Sequence, residues 1–397
     1  MADFLEDLDF NFNWEREKDR NKTSVLQMID LAEKEGFTNL ELFNVNFPDG
    51  IIFNRVQRLD KVQKIKIVDT NITTLANIPS NVNEILIKKG EISIANFTLI
   101  SNVEQVVNIS IINNKIKTIL YLNLLKNLVY IDLSQNDITE IPQLPENVLT
   151  FIATHNKIKK IQNLNKNLLE LNLSNNLISE FHMIPDCVES INISRNEIRI
   201  VDVSSFKKLK VFKAYNNRIK IIIGPISPYI EVFDVFNNEL QKIPDLGLHI
   251  KEIDLSNNDF KVLPKFGTSV LERLDITRNP LLNLSNDEIS MLMEINKLNK
   301  SLVVMCDQFD MPHNALNFKL SESSSSSEID FSDIFDNDIK PVDESSNMRH
   351  FDIIELLNRN RHMHAQQESF NQPFQQINNQ QTIIRGKQIY KRRTYEL

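Results

Sequence analysis

Residues 128–138 read LVYIDLSQNDI, and the frame they set returns down the chain. VLTFIATHNKI begins at Val148, LLELNLSNNLI at Leu168 and VESINISRNEI at Val188. LKVFKAYNNRI follows at Leu209, IEVFDVFNNEL at Ile230, IKEIDLSNNDF at Ile250 and LERLDITRNPL at Leu271. Every copy places an asparagine at one position: Asn136, Asn156, Asn176, Asn196, Asn217, Asn238, Asn258 and Asn279, spaced 20 or 21 residues apart. Upstream, VNISIINNKI ends a matching copy at Asn114, and weaker copies put Gly90 and Thr70 in the asparagine position. Eleven units in one register define a repeat architecture before any local propensity is weighed.

The spacing carries its own physics. Ile131 and Leu133 alternate with Asp132 and Ser134, so a short strand turns its apolar residues to one face and its polar residues to the other. One such strand cannot bury its apolar face alone. Stacking copies in parallel builds a continuous core and pairs the backbone groups of each strand with the next. The asparagine falls where the chain leaves the strand, and a buried amide there satisfies backbone groups that no regular ladder reaches. A unit of 20 residues leaves little room for a helix on the return side, and proline there removes a donor.

These residues resemble the leucine-rich-repeat family pattern LxxLxLxxNxL over roughly Val62 to Leu282. They are most similar to the short 20-residue class of bacterial effectors, whose units carry an LPxLP signature after the asparagine. Ile141-Pro142-Gln143-Leu144-Pro145 fits that signature fully, Ile243-Pro244 and Leu263-Pro264 its first half, and Ile184-Pro185 its second. Other copies lack the proline, which leaves a 22-residue class open for part of the array. The resemblance implies an α/β solenoid, a right-handed superhelix with a parallel concave β-sheet and a largely extended convex side.

Both ends of such a stack need covering. Thr23 or Ser24 caps an expected helix running to Glu35, with Val25, Met28, Ile29 and Ala32 on one face and Gly36 as its stop. Ser285 and Glu288 form an S-x-x-E capping box, followed by a helix and a last buried strand at Leu302–Met305. The expected organisation is an acidic N-terminus over 1–21, a cap over 22–61, the array over 62–283 and a helix-and-strand cap over 284–306. Residues 307–397 read as disordered: a serine run at Ser321–Ser327 followed by acidic sequence, a Gln/Asn-rich tract at Gln366–Gln381, and a basic end with Lys391, Arg392 and Arg393.

Charge and chemistry narrow the function. The chain carries a formal net charge of −8, yet residues 21–306 sum to zero, because −4 lies in 1–20, −8 in 307–348 and +4 in 382–397. A neutral repeat domain argues against nucleic acid, which needs a basic face. No apolar run approaches the ~20 residues of a membrane span. Two cysteines, Cys187 and Cys306, make no disulfide framework and point to a reducing, cytoplasmic setting. No phosphate loop, dinucleotide fingerprint or zinc-ligand pair occurs, so no catalytic residue, metal or cofactor is expected.

The reading is a non-catalytic module that binds a protein partner on its concave face. Two alternatives stand beside it: an effector-like enzyme such as a cysteine-dependent ubiquitin ligase using Cys306, and a structural assembly component. The column after the second core residue runs Val68, Lys88, Ile112, Ser134, Thr154, Ser174, Ser194, Tyr215, Phe236, Ser256, Thr277. Tyr215 and Phe236 are its adjacent aromatics, and the central column beside them reads Lys213, Asp234, Asp254, Asp275. These six residues are the candidate partner-binding site. Lys64, Lys66, Lys88 and Lys89 form the rival patch. Limited proteolysis of the full chain should leave a core of about residues 20–306 and cut first within Ser321–Ser346; protection of Ser321–Ser327 would reveal a second folded domain.

Overall fold

The computed structural model describes residues 23–280, 282–298 and 302–306. The expected acidic N-terminus and the tail from Asp307 onward lie outside them. In chain order the strands are β1 (Asn39–Phe43), β2 (Lys64–Val68), β3 (Glu84–Lys88), β4 (Ile94–Asn96), β5 (Asn108–Ile112), β6 (Thr118–Leu120), β7 (Tyr130–Asp132), β8 (Thr150–Ile152), β9 (Glu170–Asn172), β10 (Ser190–Asn192), β11 (Ile200–Asp202), β12 (Val211–Lys213), β13 (Ile221–Ile223), β14 (Val232–Asp234), β15 (Glu252–Asp254), β16 (Arg273–Asp275) and β17 (Val303–Met305). Thirteen of them form one parallel sheet in sequence order, and β4–β6 and β11–β13 are two separate parallel pairs on the outer side.

The alternation of the sequence becomes burial. Ile131, Phe151, Leu171, Ile191, Phe212, Phe233, Ile253 and Leu274 occupy one register position on eight successive strands and are all buried. They belong to a single apolar cluster running from Ile29 to Cys306. Each unit therefore buries its apolar face only against its neighbours.

The asparagine ladder sets the distance between units. Asn176 donates from Nδ2 to the carbonyls of Leu173 at 3.0 Å and Ser174 at 3.2 Å in its own turn, and to Ala153 at 2.9 Å in the preceding unit. Its Oδ1 accepts from Ile158 N at 3.0 Å, again in the preceding unit. The same pattern recurs from Asn136 to Asn279. One buried side chain thus closes its own turn and clamps the unit before it. The residue ahead of each ladder asparagine is held in the left-handed region, as at His155, Asn175 and Arg195. Gly90 stands in the asparagine position because a Cβ there would come within 2.5 Å of Asn114 Oδ1.

A second ladder runs along the margin where chains enter the strands. Asn127, Asn147 and Asn167 each donate from Nδ2 to a carbonyl of the preceding unit, Glu104, Lys126 and Glu146, at 2.7–2.9 Å. Asn81 does the same to Asp60. Cys187 takes the next place, its Sγ donating to Lys166 O at 3.0 Å and Leu168 O at 3.2 Å. It is half-buried and hydrogen-bonded, and burial pushes its thiol pKa up.

The outer side is largely extended, as the short unit requires. Short 3₁₀ turns at Phe97–Leu99, Val103–Gln105 and Leu122–Leu124 fill the longer units between Gly90 and Asn136. At the N-terminus α1 (Thr23–Glu35) buries Ile29 and Ala32, and Gly36 ends it at φ 70°. The cap also supplies β1, a strand the sequence reading did not anticipate. Leu40 and Leu42 repeat the inward alternation there, although Val45 stands in the asparagine position. At the other end Ser285 Oγ accepts from Glu288 N at 3.3 Å and Ser285 N donates to Glu288 Oε2 at 2.8 Å, which caps α2 (Asn286–Leu298).

The two ladders should differ in cost when broken. Asn176→Leu strands buried backbone groups in two units and should destabilise by about 3 kcal/mol, whereas Asn167→Ala returns one marginal carbonyl to water and should cost under about 1 kcal/mol. Urea unfolding of both variants checks the ranking; equal losses would assign the inner amide no special role.

Candidate binding face

The outward strand positions form three columns across the sheet. Register places Lys213 beside Asp234, Asp234 beside Asp254, and Asp254 beside Asp275, so the four charges read from sequence form one uninterrupted row on β12, β14, β15 and β16. Met305 on β17 ends it. Tyr215 and Phe236 stand two residues beyond the row, at the strand exits, and both are half-buried rather than freely exposed. On the core side the rings of Phe212 and Phe233 stack with centroids 5.5 Å apart.

The central column has a structural duty that sequence reading missed. Asp132, Asn172, Asn192, Asp234, Asp254 and Asp275 each accept, through Oδ1, the backbone N–H two residues on, at 2.9–3.2 Å. Where the second residue is hydroxylated the carboxylate gains a further bond: Ser134, Ser256 and Thr277 donate to Asp132, Asp254 and Asp275 at 2.6, 2.5 and 2.8 Å. The signal was available as a recurring Asp/Asn-x-Ser/Thr spacing. It lapses three times between β7 and β16. Phe236 gives Asp234 no hydroxyl, and Ile152 ahead of Thr154 and Lys213 ahead of Tyr215 have no acceptor at all.

Electrostatics follow that lapse. Burial, with Asp254 adding to it, raises the Asp234 pKa to about 6. Asp254 is also raised by burial, against the opposing bond from Ser256 and the charge of Arg273. The Arg273 guanidinium lies 3.6 Å from Asp254 and 3.9 Å from Asp275, and at Asp234 the charges of Lys213 and Arg273 lower the pKa by less than burial raises it. Beside Tyr215, the equivalent hydroxyl of Ser194 is buried without a hydrogen-bond partner.

The rival lysines are differently placed. Lys64 pairs with Glu84 at 2.9 Å, and Lys66 pairs with Glu41 at 3.6 Å while lying 5.0 Å from the Phe43 ring centroid. These groups line a shallow cavity of about 280 Å³ with Asn39 and Leu86. Two of the four rival lysines are thus ion-paired. Among the described residues no group of three His, Cys, Asp or Glu could hold a metal ion, and no helix is long and apolar enough to cross a membrane.

Comparison with solved structures agrees with the architecture. The leucine-rich effector YopM from Yersinia pestis matches with a TM-score of 0.56 at 19% identity, covering 77% of this chain and 80% of that one. A chain of the octameric complex of latrophilin 3, Unc5D and the leucine-rich-repeat protein FLRT2 matches with a TM-score of 0.52 at 20% identity, covering 70% and 86%. This chain has the leucine-rich-repeat solenoid fold. No family model and no curated protein matches it by sequence.

The raised Asp234 carboxyl gives this leucine-rich-repeat domain a pH signature. Below the usual value of 3.8 the group is protonated in folded and unfolded chains alike; above about 6 it is ionised in both and the folded state bears the full burial cost. Asp234 therefore withdraws stability as pH rises between those values. Asp234→Asn keeps an oxygen for Phe236 N and should melt higher than wild type at pH 7, the gain vanishing near pH 4. A gain that persists unchanged at pH 4 would place Asp234 in water instead.

Proposed function

We propose that this protein is a non-catalytic interaction module whose concave sheet binds a protein partner around Tyr215 and Phe236. The observation that carries the reading is the lapse in the Asp/Asn-x-Ser/Thr pattern. On the neighbouring strands β12 and β14, Lys213 offers no acceptor and Asp234 keeps only the Phe236 N–H. Both places carry an aromatic beside a carboxyl whose pKa burial raises, whereas the third lapse, Ile152–Thr154, stands alone without one. Aromatic anchors rimmed by polar groups concentrate binding energy, and extended sheets of stacked repeats are surfaces that solenoids commonly use. The row from Lys213 to Asp275 adds orientation, because one cation followed by three carboxylates fits a partner strip of inverse charge in one direction only.

Burial of Cys306 favours this reading over a cysteine-dependent ligase. Its side chain is 3% exposed in the terminal apolar core, whereas a catalytic thiolate needs access and an electropositive setting.

A photo-crosslinking residue at Lys213 in the full chain, followed by mass spectrometry from the native cell, should identify the partner. Tyr215→Ala with Phe236→Ala should then weaken binding by more than about 2 kcal/mol and leave the unfolding midpoint close to wild type. Unchanged affinity in that double variant would move the site off this face, and ubiquitin-chain formation lost in Cys306→Ala would replace the reading with the enzymatic one.

A further inference from the structure

A quarter of this chain is charged, yet residues 92–103 and 118–125 contain no charged residue. They lie side by side on the outer side of adjacent units, joined by the pairing of β4 with β6, which sets Ile94 beside Thr118 and Asn96 beside Leu120. Five large apolar side chains there, Ile94, Leu99, Leu120, Tyr121 and Leu124, are between 36% and 55% exposed. For side chains of that size the exposed area is on the order of 450 Å², the scale of the functional patches found on monomers.

Tyr121 adds an independent observation. The seventh residue after the ladder position is left-handed in several units: Asn77, Asn163 and Gly224 hold it at φ 64°, 59° and 89°. Asparagine and glycine suit that backbone, and a bulky aromatic does not. Tyr121 adopts φ 61° all the same and leaves its ring 55% exposed, so the strain brings no burial within one chain. Met183 shares the conformation, but it stands among Glu180, His182 and Asp186.

We propose that this patch is a two-fold interface between two copies of the chain. Homodimer interfaces are more apolar than transient ones and poor in charge at their centre. Two such patches bury roughly 900 Å² from these side chains alone, and the surrounding Asn, Ser and Thr bring the total past the roughly 1,000 Å² that a specific interface needs.

The rim fixes the axis. Glu91 and Glu104 flank the first segment, and Lys117 and Lys126 flank the second. An axis parallel to the strands and between β4 and β6 lays the first segment of each copy on the second segment of the other. Glu104 then faces the partner's Lys126. An axis across the strands would instead set glutamate against glutamate. The other outer pair, β11–β13, exposes Ile200, Ile221 and Ile223 but is interrupted by Asp202 and bordered by Arg199, Lys220 and Lys242. The interface lies off the concave sheet and does not depend on partner binding there.

Sedimentation velocity of the full chain from about 0.1 to about 100 µM should show a reversible dimer with a micromolar dissociation constant. Leu99→Glu with Leu124→Glu should be monomeric throughout that range with an unchanged circular dichroism spectrum. Tyr121→Asn, which suits its backbone, should weaken the dimer about fivefold or more while raising the melting temperature. Glu104→Lys should weaken it about tenfold, and adding Lys126→Glu should restore most of the loss, since each reversal acts twice across the axis. Tyr215→Ala with Phe236→Ala should leave dimerisation untouched. A wild-type chain that stays monomeric at about 100 µM overturns the proposal. So does a dimer that survives Leu99→Glu with Leu124→Glu, or a charge swap that restores nothing.

Discussion

A carboxamide at each strand exit from Asn114 to Asn279, buried in all but the units of Asn217 and Asn238, holds this solenoid together. Its nitrogen bonds two carbonyls of its own turn and one of the preceding unit, and its oxygen takes the preceding unit's amide, as at Asn176. Both halves of the clamp must be satisfied at once, so the path from the first core residue to the asparagine cannot lengthen. Variation is forced to the outer side. Most units there are 20 or 21 residues long, but the distance from Gly90 to Asn114 is 24 and from Asn114 to Asn136 is 22. The extra residues appear as 3₁₀ turns, and they make the uncharged outer surface beside β4 and β6.

The same constraint decides what can vary on the concave sheet. A chain leaving a strand presents an N–H that the ladder does not reach, and the central-column carboxylate or amide accepts it. Acidic residues in that column therefore serve the backbone as well as the outward face. Asp132 shows this most plainly, being buried and bonded twice by Ser134. Asp254 and Asp275 behave alike and also share Arg273. Function is better sought where that arrangement is relaxed on adjacent strands, in the units bearing Tyr215 and Phe236.

The fold was legible because its signals are periodic and steric. Alternation along each strand, an amide at fixed spacing and the Ser285–Glu288 box each have one structural solution. What escaped has physical reasons too. Asn127, Asn147 and Asn167 recur with the same period as the buried ladder, so periodicity alone could not tell a second set of donors from surface polarity. Cys187 continues that set with a thiol, a chemistry the spacing does not suggest. β1 leads to Val45 in the ladder position and keeps only the inward pair Leu40 and Leu42. At the candidate site the order of charges was readable, since register follows from the repeat. The compensation of each charge was not, because it depends on side chains one unit away, as Arg273 on Asp254 illustrates. The left-handed backbone of Tyr121 was hidden for a similar reason: its equivalents, Asn77 and Gly224, reveal the preference only once the outer turns are aligned in space.

Placing the two surfaces on different sides of each unit has a mechanical consequence. The concave columns and the outer patch share the core strands between them but no side chain, so a partner on one meets no steric conflict with a copy on the other. A pair joined through β4 and β6 would turn both concave sheets outward. A partner carrying two suitable strips, or two partners held together, would then engage both sheets with the second contact made at high effective concentration. The gain requires no new contact, only a rigid spacing between sheets. The asparagine clamp, repeated in every unit between the outer patch and Tyr215, provides that rigidity.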